Sequence, residues 1–293
     1  MSPGPFLRTY PALDVTWPSR SESSDDEQAG LVMAALDDEG PAAAEPITHG
    51  LRVFFPTSAA RGRAALKLAD ADLPVTCGAV DVPDDDWAER SQAGLDPIVV
   101  GDVMVAAPNV DPGLFPGPII RIQPSMGFGT GHHASTRLML DLLQKQALSG
   151  RSVLDVGTGS GVLALAARVL GAGRVVAIDV DPDALASAQL NCDLNKEGQI
   201  TLLEADVASA TGSLGRTFDL VLANLTGSTI TRYASELARL GAPDGRLIVG
   251  GFQDEEAPVV SAALDAAGWI FEDRSDEDGW TAIVTIPRPS TAR

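Results

Sequence analysis

Cysteine, histidine and basic residues are scarce in this sequence, and each scarcity argues against a class of site. The two cysteines, Cys77 and Cys192, form no C-x-x-C pair or other metal-ligand spacing, so neither a disulfide framework nor a zinc site is expected. The adjacent His132 and His133 point in different directions, and the third histidine, His49, lies in another predicted domain. No metal site is therefore predicted.

Apolar runs long enough to cross a membrane are missing as well. No segment approaches about 18 consecutive apolar residues, and the N-terminus carries no apolar signal segment. The 21 basic residues face 40 acidic ones, which gives a net charge of −19. This acidity disfavours direct binding to nucleic acid and suits a basic protein partner, although it is equally consistent with a general solubility feature. We expect a cytoplasmic protein without a membrane partner.

The most informative segment, from Ser152 to Asp179, combines a strand, a glycine loop, a helix, a second strand and a terminal carboxylate. The loop from Gly157 to Gly161 reads G-T-G-S-G, and Val162 stands where the dinucleotide fingerprint needs its third glycine. A phosphate-loop motif is also absent from the sequence, so pyrophosphate is not the expected ligand. On this segment alone, a remote NAD enzyme and a βαβ unit without a ligand stay open.

The glycine-loop motif and the two motifs that flank it together carry a resemblance to a known family. F-G-T-G-x-H-x-x-T occupies residues 128–136, L-D-x-G-T-G-S-G-x-L-A occupies 154–164, and D-x-x-x-A-N-L occupies 219–225. In order and spacing these motifs resemble the ribosomal protein L-11 methyltransferase family, which consists of class I S-adenosylmethionine-dependent protein methyltransferases. The resemblance is strong from about residue 84 onward and weaker before it.

Element alternation predicts two domains and a linker. Residues 1–80 follow a βαββαβ-like order, which predicts a small ferredoxin-like α+β domain, and we expect it to recognise the substrate. Residues 81–118 are expected to form a linker and the start of the catalytic domain. Residues 119–293 are expected to bind S-adenosylmethionine. The resemblance implies that this α/β domain has the Rossmann-like, seven-stranded, mostly parallel sheet of class I methyltransferases.

The apolar pattern of the larger domain predicts its strands individually. The connection between the last two strands is too short for a helix, so these two should form an antiparallel hairpin. The predicted strands lie near 152–156, 174–179, 200–204, 218–223, 245–250, 269–273 and 280–286.

Four candidate residues concern the sugar and base of the cofactor. Gly157 and Gly159 are expected to pass under its methionine part and ribose, with tight strand-to-helix packing as the alternative. Asp179 ends a strand and is expected to hold the ribose diol, because Asp181 supplies the helix cap that follows. Asp206 is expected to contact the adenine amino group, and a surface carboxylate is an equal alternative.

The remaining candidates come from the family motifs. The resemblance implies that Phe128 covers the cofactor and that Thr136 bonds its methionine end; ordinary core is the alternative for Phe128. His133 would shape the substrate entrance or accept a proton, with a structural histidine as the alternative. Asn224 ends a strand at the expected switch point, where it would contact the cofactor and orient an attacking amine. The motif N-L-T-G lacks the prolines and aromatic residue of base methyltransferases, so a flipped base is disfavoured.

The predicted function is methyl transfer from S-adenosylmethionine to lysine ε-amino and N-terminal α-amino groups of large-subunit ribosomal protein L-11, as the resemblance implies. A dedicated general base is not apparent in the sequence. Two alternatives stay open: a methyltransferase of the same fold that acts on another protein or a small amine, and a non-catalytic regulator that binds the cofactor.

Overall fold

The computed structural model describes residues 9–18, 25–36, 41, 43–55, 57–71, 73–83, 97–123, 133–215 and 217–289. The chain divides into two compact units, Met1–Gly94 and Leu95–Arg293. The segment 81–118, predicted as a linker and domain start, contributes the end of a strand to the first unit and two strands to the second.

The first unit has the βαββαβ order predicted from the sequence. Its sheet has the strand order β2-β3-β1-β4 with every neighbouring pair antiparallel, which is the ferredoxin-like arrangement. Alternate residues of β1, among them Leu13 and Val15, are buried in a core shared with Val32 and Leu68 of the two helices. The elements are β1 Thr9–Thr16, α1 Asp25–Leu36, β2 Ala43–Ile47, β3 Gly50–Phe54, α2 Ser58–Asp70 and β4 Thr76–Pro83.

Strand β2 has a sequence that does not by itself indicate a strand. Its sequence, A-A-E-P-I, contains Pro46, which cannot donate to a strand ladder and disfavours a strand in the middle of a sheet. The structure accommodates this proline because β2 is an edge strand that pairs only with β3 among the described strands.

The second unit contains the predicted seven-stranded sheet. Its order is β10-β9-β8-β11-β12-β14-β13, and β14 runs in the direction opposite to the other six strands. The predicted hairpin of the last two strands is confirmed. The strands are β8 Ser152–Val156, β9 Arg174–Asp179, β10 Ile200–Glu204, β11 Phe218–Asn224, β12 Gly241–Gln253, β13 Trp269–Glu277 and β14 Trp280–Pro287.

Helices cover both faces of this sheet. Successive residues of β8 enter different cores: Val153 belongs to the core that contains Leu140 and Leu165, whereas Leu154 belongs to the one that contains Leu237 and Leu264. A strand buried on both faces needs a nearly continuous apolar run, which is the pattern that β9 shows and that β8 shows apart from Asp155. The helices are α3 Ala134–Gln144, α4 Val162–Val169, α5 Pro182–Leu194, α6 Val207–Ser213, α7 Gly227–Arg232, α8 Ala234–Leu240 and α9 Ala257–Ala266.

A separate three-stranded sheet precedes α3. It consists of β5 Ile98–Val100, β6 Val103–Ala106 and β7 Ile119–Arg121 in the order β5-β6-β7. The fully buried Ile120 of β7 belongs to the same core as α3 and α4, so this sheet is packed into the second unit. Among the described helices, none has the combined length and apolar character that a membrane span requires.

Candidate active site

The carboxyl ends of β8 and β11 form the switch point of the large sheet. These strands are neighbours, and the chain order proceeds outward from them, to β9 and β10 on one side and to β12 on the other. In an open α/β sheet, ligands bind outside the carboxyl ends of strands at such a reversal. Ala223 pairs with Val156, so Asn224, the last residue of β11, lies beside Gly157, the first residue after β8.

The glycine loop has a backbone that only glycine adopts readily. Gly157, Gly159 and Gly161 have φ values of 71°, 54° and 82°. A Cβ on Gly157 would lie 2.5 Å from Leu225 Cδ2, and one on Gly161 would lie 3.2 Å from Ala188 Cβ. The loop therefore packs closely against the chain leaving β11 and against α5. This is the packing role given above as the alternative, and a cofactor contact by the glycines stays a prediction.

Asp179 fixes the loop through hydrogen bonds to two backbone amides. Its Oδ2 accepts the Gly159 N–H at 2.9 Å, and its Oδ1 accepts the Asp181 N–H at 3.1 Å. As expected, Asp181 caps α5, because its Oδ1 accepts the Asp183 N–H at 2.9 Å. Asp179 is therefore already engaged, but an ionised carboxylate has about four acceptor positions, so two stay available for a ribose diol.

A second carboxylate, Asp155, lies under the loop and is not among the site residues predicted from the sequence. It is 1% exposed, and its Oδ2 accepts the Thr158 hydroxyl at 2.7 Å and the Ala164 N–H at 3.1 Å. Its Oδ1 has no hydrogen-bond partner among the described residues. Burial raises the pKa of Asp155 to about 6, against the opposing effect of its two hydrogen bonds. An acidic residue within the apolar strand S-V-L-D-V was the available signal.

The structure brings Asn224 and Thr136 together. The Asn224 Nδ2 lies 3.5 Å from Thr136 Oγ1, whereas Asn224 Oδ1 is buried without a partner among the described residues. Gly251 makes room for this side chain at a bulge in β12: its φ is 90°, and a Cβ there would lie 2.9 Å from Asn224 Oδ1. The sequence analysis did not single out Gly251, although the G-G pair at the end of an apolar strand is a bulge signal.

Two other candidates have clear structural roles. Asp206 caps α6, where its Oδ1 accepts the Ser209 N–H at 2.6 Å, and this bond is the main reason why its pKa is lowered. His133 caps α3: its Nδ1 accepts the Ser135 N–H at 3.3 Å. The histidine ring also meets Trp280 edge-on, with centroids 4.4 Å apart. An adenine contact by Asp206 stays a prediction.

The geometry of His133 bears on its proposed role as a proton acceptor. Burial, followed by the charge of Arg137, lowers the pKa of His133, which favours the neutral ring. When Nδ1 accepts a hydrogen bond, the ring proton lies on Nε2, so the nitrogen away from the cap is a donor. Accepting a substrate proton would therefore require the cap to break.

Phe128 and His132 lie outside the described residues. Within the described ranges, no three His, Cys, Asp or Glu side chains are grouped as metal ligands.

The chain is similar to proteins of one family along most of its length. The family model described as "Ribosomal protein L11 methyltransferase (PrmA)" matches residues 42–287. The ribosomal protein L11 methyltransferase of Pelotomaculum thermopropionicum is 40% identical over 220 residues, which cover 72% of this chain and 70% of that protein. The enzyme of the same name from Bacillus cereus is 31% identical over 286 residues, or 91% and 88% of the two chains. A crystal structure of ribosomal protein L11 methylase from Lactobacillus delbrueckii subsp. bulgaricus has a TM-score of 0.61 at 25% identity and covers 67% of this chain and 100% of that one.

Proposed function

The chain belongs to the ribosomal protein L11 methyltransferase family, and we propose that it transfers methyl groups from S-adenosylmethionine to lysine ε-amino and N-terminal α-amino groups of ribosomal protein L11. The observation that carries this proposal is Asn224, whose buried Oδ1 has no partner among the described residues and lies at the switch point beside the glycine loop. A buried acceptor without a partner favours a ligand that brings N–H donors, and both the cofactor and an amine substrate carry them.

The described residues at this edge of the sheet fit S-adenosylmethionine. Gly157 and Gly159 bring bare backbone to the crevice for the methionine part and ribose, and Asp179 keeps acceptor positions for the ribose diol. The Thr136 hydroxyl, next to Asn224, would hold the methionine end. When bound, the cofactor supplies a methyl group on a sulfonium. Phe128 as a cover and Asp206 as an adenine contact complete the proposed set.

Asn224 would orient the substrate amine through its side-chain oxygen. The amine must be neutral to attack, and deprotonating a lysine at neutral pH costs roughly 4 kcal/mol, whereas an α-amino group costs less than about 2 kcal/mol. A dry crevice lowers the pKa of either amine, because desolvation disfavours the charged form. In this proposal desolvation produces the neutral amine, and His133 acts as the helix cap that the geometry shows.

The direct test is to incubate the purified chain with S-adenosylmethionine and ribosomal protein L11 and to map methylated peptides by mass spectrometry. We expect methyl groups on lysine side chains and on the N-terminal amine, and the same groups missing from ribosomes of cells that lack the gene. Cofactor binding with transfer only to other amines would support the alternative substrate. Binding without transfer to any amine would support a regulator, and no binding would refute the cofactor assignment.

We also propose that the first unit recognises the protein substrate. The second unit already carries the seven-stranded sheet, the glycine loop and Asn224. Recognition of a folded protein takes an interface of roughly 800 Å² per partner, more than a crevice around one amine provides. A chain that begins at residue 95 is expected to bind the cofactor and act slowly on a small amine, but not on ribosomal protein L11. Full activity on that protein would contradict the recognition role, whereas loss of folding in thermal melts would support a stabilising one.

The proposed substrate also fixes where the reaction takes place. A ribosomal protein is made and assembled in the cytoplasm, so we place this chain there. Since the methyl acceptor is a protein amine, neither a nucleic acid nor a membrane takes part in the proposed reaction.

A further inference from the structure

Two asparagines on α5 bond to backbone outside their own helix. Asn191 is fully buried, and Asn195, four residues later, caps the same helix. Residues with this spacing lie on one face of a helix. Asparagine is a poor helix former, and its amide is costly to bury without hydrogen-bond partners. The side-chain hydrogen bonds of Asn191 and Asn195, the asparagine pair, therefore indicate what these two residues do.

Asn195 serves the outer edge of β7. Its Oδ1 accepts the Arg121 N–H at 2.7 Å, and its Nδ2 donates to Arg121 O at 2.6 Å. These are the two backbone groups that a neighbouring strand would satisfy. On the other edge β7 pairs with β6, where the Ile122 N–H donates to Ala106 O at 2.9 Å. Asn195 therefore replaces a strand at this edge, and its Nδ2 also donates to Asn191 O at 2.7 Å.

Asn191 reaches two different segments at once. Its Oδ1 accepts the Gln123 N–H at 2.8 Å, and its Nδ2 donates to Ser160 O, in the glycine loop, at 2.8 Å. Gln123 is the last described residue before the F-G-T-G-x-H-x-x-T motif. One turn earlier, Ala188 of α5 packs against Gly161 of the same loop. One rigid side chain thus sets the separation between the glycine loop and the chain that enters the motif.

We propose that Asn191 is a positioning residue for S-adenosylmethionine, which holds the glycine loop in its binding geometry through Ser160 O and ties it to the chain at Gln123. The inference rests on the proposed function. It assigns Asn191 no contact with the cofactor, so its effect comes through the loop. Because the loop amide of Gly159 is fixed to Asp179, a displaced loop would also disturb the carboxylate proposed to hold the ribose.

The asparagine pair offers matched variants for the test. Asn191→Ala removes both bonds, and Asn191→Asp keeps the acceptor for Gln123 but replaces the donor to Ser160 O with an acceptor. Asn195→Ala removes the bonds to Arg121 and the bond to Asn191 O, but it leaves both hydrogen bonds of the Asn191 side chain in place. The measurements on the full-length chain are the Kd for S-adenosylhomocysteine by calorimetry and the melting temperature.

Both Asn191 variants are expected to weaken binding by about tenfold or more, the size that losing a buried hydrogen-bond partner produces. For Asn195→Ala, the Kd for S-adenosylhomocysteine should stay within about twofold of the wild-type value. This should hold even if its melting temperature falls as far as those of the Asn191 variants. Unchanged affinity in the Asn191 variants would overturn the proposal. If Asn195→Ala weakened cofactor binding as much as the Asn191 variants do, the proposal would also be overturned. The loss of affinity would then reflect lower stability and not a displaced glycine loop.

Hydrogen exchange on the wild-type chain covers the case in which the Asn191 variants do not fold. Saturating S-adenosylhomocysteine is expected to slow exchange of the Gln123 amide, since that amide is bonded to the side chain that holds the loop. Unchanged exchange at Gln123 would contradict the coupling. These binding measurements do not need the protein substrate, so failure of ribosomal protein L11 to be methylated leaves them valid. A wild-type chain that binds no S-adenosylhomocysteine would refute the cofactor assignment and this inference together.

Discussion

Replacement of Asp155 by asparagine isolates the effect of one buried carboxyl on stability. Burial is the main cause that raises its pKa to about 6, and the charge of Asp179 adds to the effect. Asparagine keeps an oxygen for the bonds from Thr158 and Ala164 but has no titratable proton. The difference in unfolding free energy between the wild type and Asp155→Asn, followed across pH, therefore reports this carboxyl.

The sign of the effect follows from the two pKa values. The folded chain binds the proton with a pKa of about 6, whereas an unfolded aspartate has a pKa of about 3.9. The folded state therefore binds the proton more tightly, and the stability that this group contributes is full below about pH 4 and is lost as the pH rises through 6. About two pKa units at about 1.4 kcal/mol each amount to about 3 kcal/mol. Between pH 4.5 and 7.5, the unfolding free energy of the wild type relative to Asp155→Asn should therefore fall by about 2 kcal/mol.

Urea unfolding of both chains at several pH values measures the difference. Asp219→Asn is a control with the opposite sign, because hydrogen bonds from Ser152, with a further contribution from Arg151, lower the pKa of Asp219. Its contribution should be lost as the pH falls. A wild-type minus Asp155→Asn difference that stays constant from pH 4.5 to 7.5 would refute the reasoning, because it would mean that the buried carboxyl keeps an ordinary pKa.

Three further variants test the site. Asp179→Ala should weaken S-adenosylmethionine binding at least about 100-fold by calorimetry, since two hydrogen bonds to a charged group are worth about 1.5–3 kcal/mol each, and unchanged affinity would remove Asp179 from the site. Asn224→Ala should lose more turnover than cofactor affinity, and wild-type turnover would contradict the positioning role. Gly157→Ala should lower the melting temperature more than Gly113→Ala, because both have positive φ but only Gly157 has a side chain within 2.5 Å of the new Cβ. Equal losses would mean that backbone strain alone matters.

How well an element could be predicted depended on how it is buried. Strands β8 and β9 are covered on both faces, and their sequences are largely apolar, with Asp155 the exception in β8, so their bounds were predicted from sequence. Strand β2 lies at an edge, alternates between half-buried and exposed residues and contains Pro46, so nothing local distinguishes it from a loop. Its place is set by pairing with β3, which is a tertiary effect.

The same distinction applies to the site. Motif and strand-end arguments selected Asn224 and Thr136, and the structure brings them together. They did not select Asp155 or Asn191, because both roles depend on which backbone atoms lie opposite a buried side chain. Nor could they show that Asp206 caps a helix, since that depends on the dihedral angles at the end of β10.

Asp155 Oδ1 and Asn224 Oδ1, which are both buried and find no partner in the described part of the chain, differ in one physical respect. Asp155 can take up a proton, and its raised pKa records that tendency. Asn224 has no proton to gain, so its Oδ1 carries the cost of a buried, unpaired acceptor, about 1–3 kcal/mol, until a donor arrives. Functional sites commonly keep such unfavourable groups in the free protein, because the missing hydrogen bond forms only when the ligand binds. Loss of Asn224 should therefore reduce turnover without a matching loss of stability, which distinguishes a residue kept for its ligand from one kept for the fold.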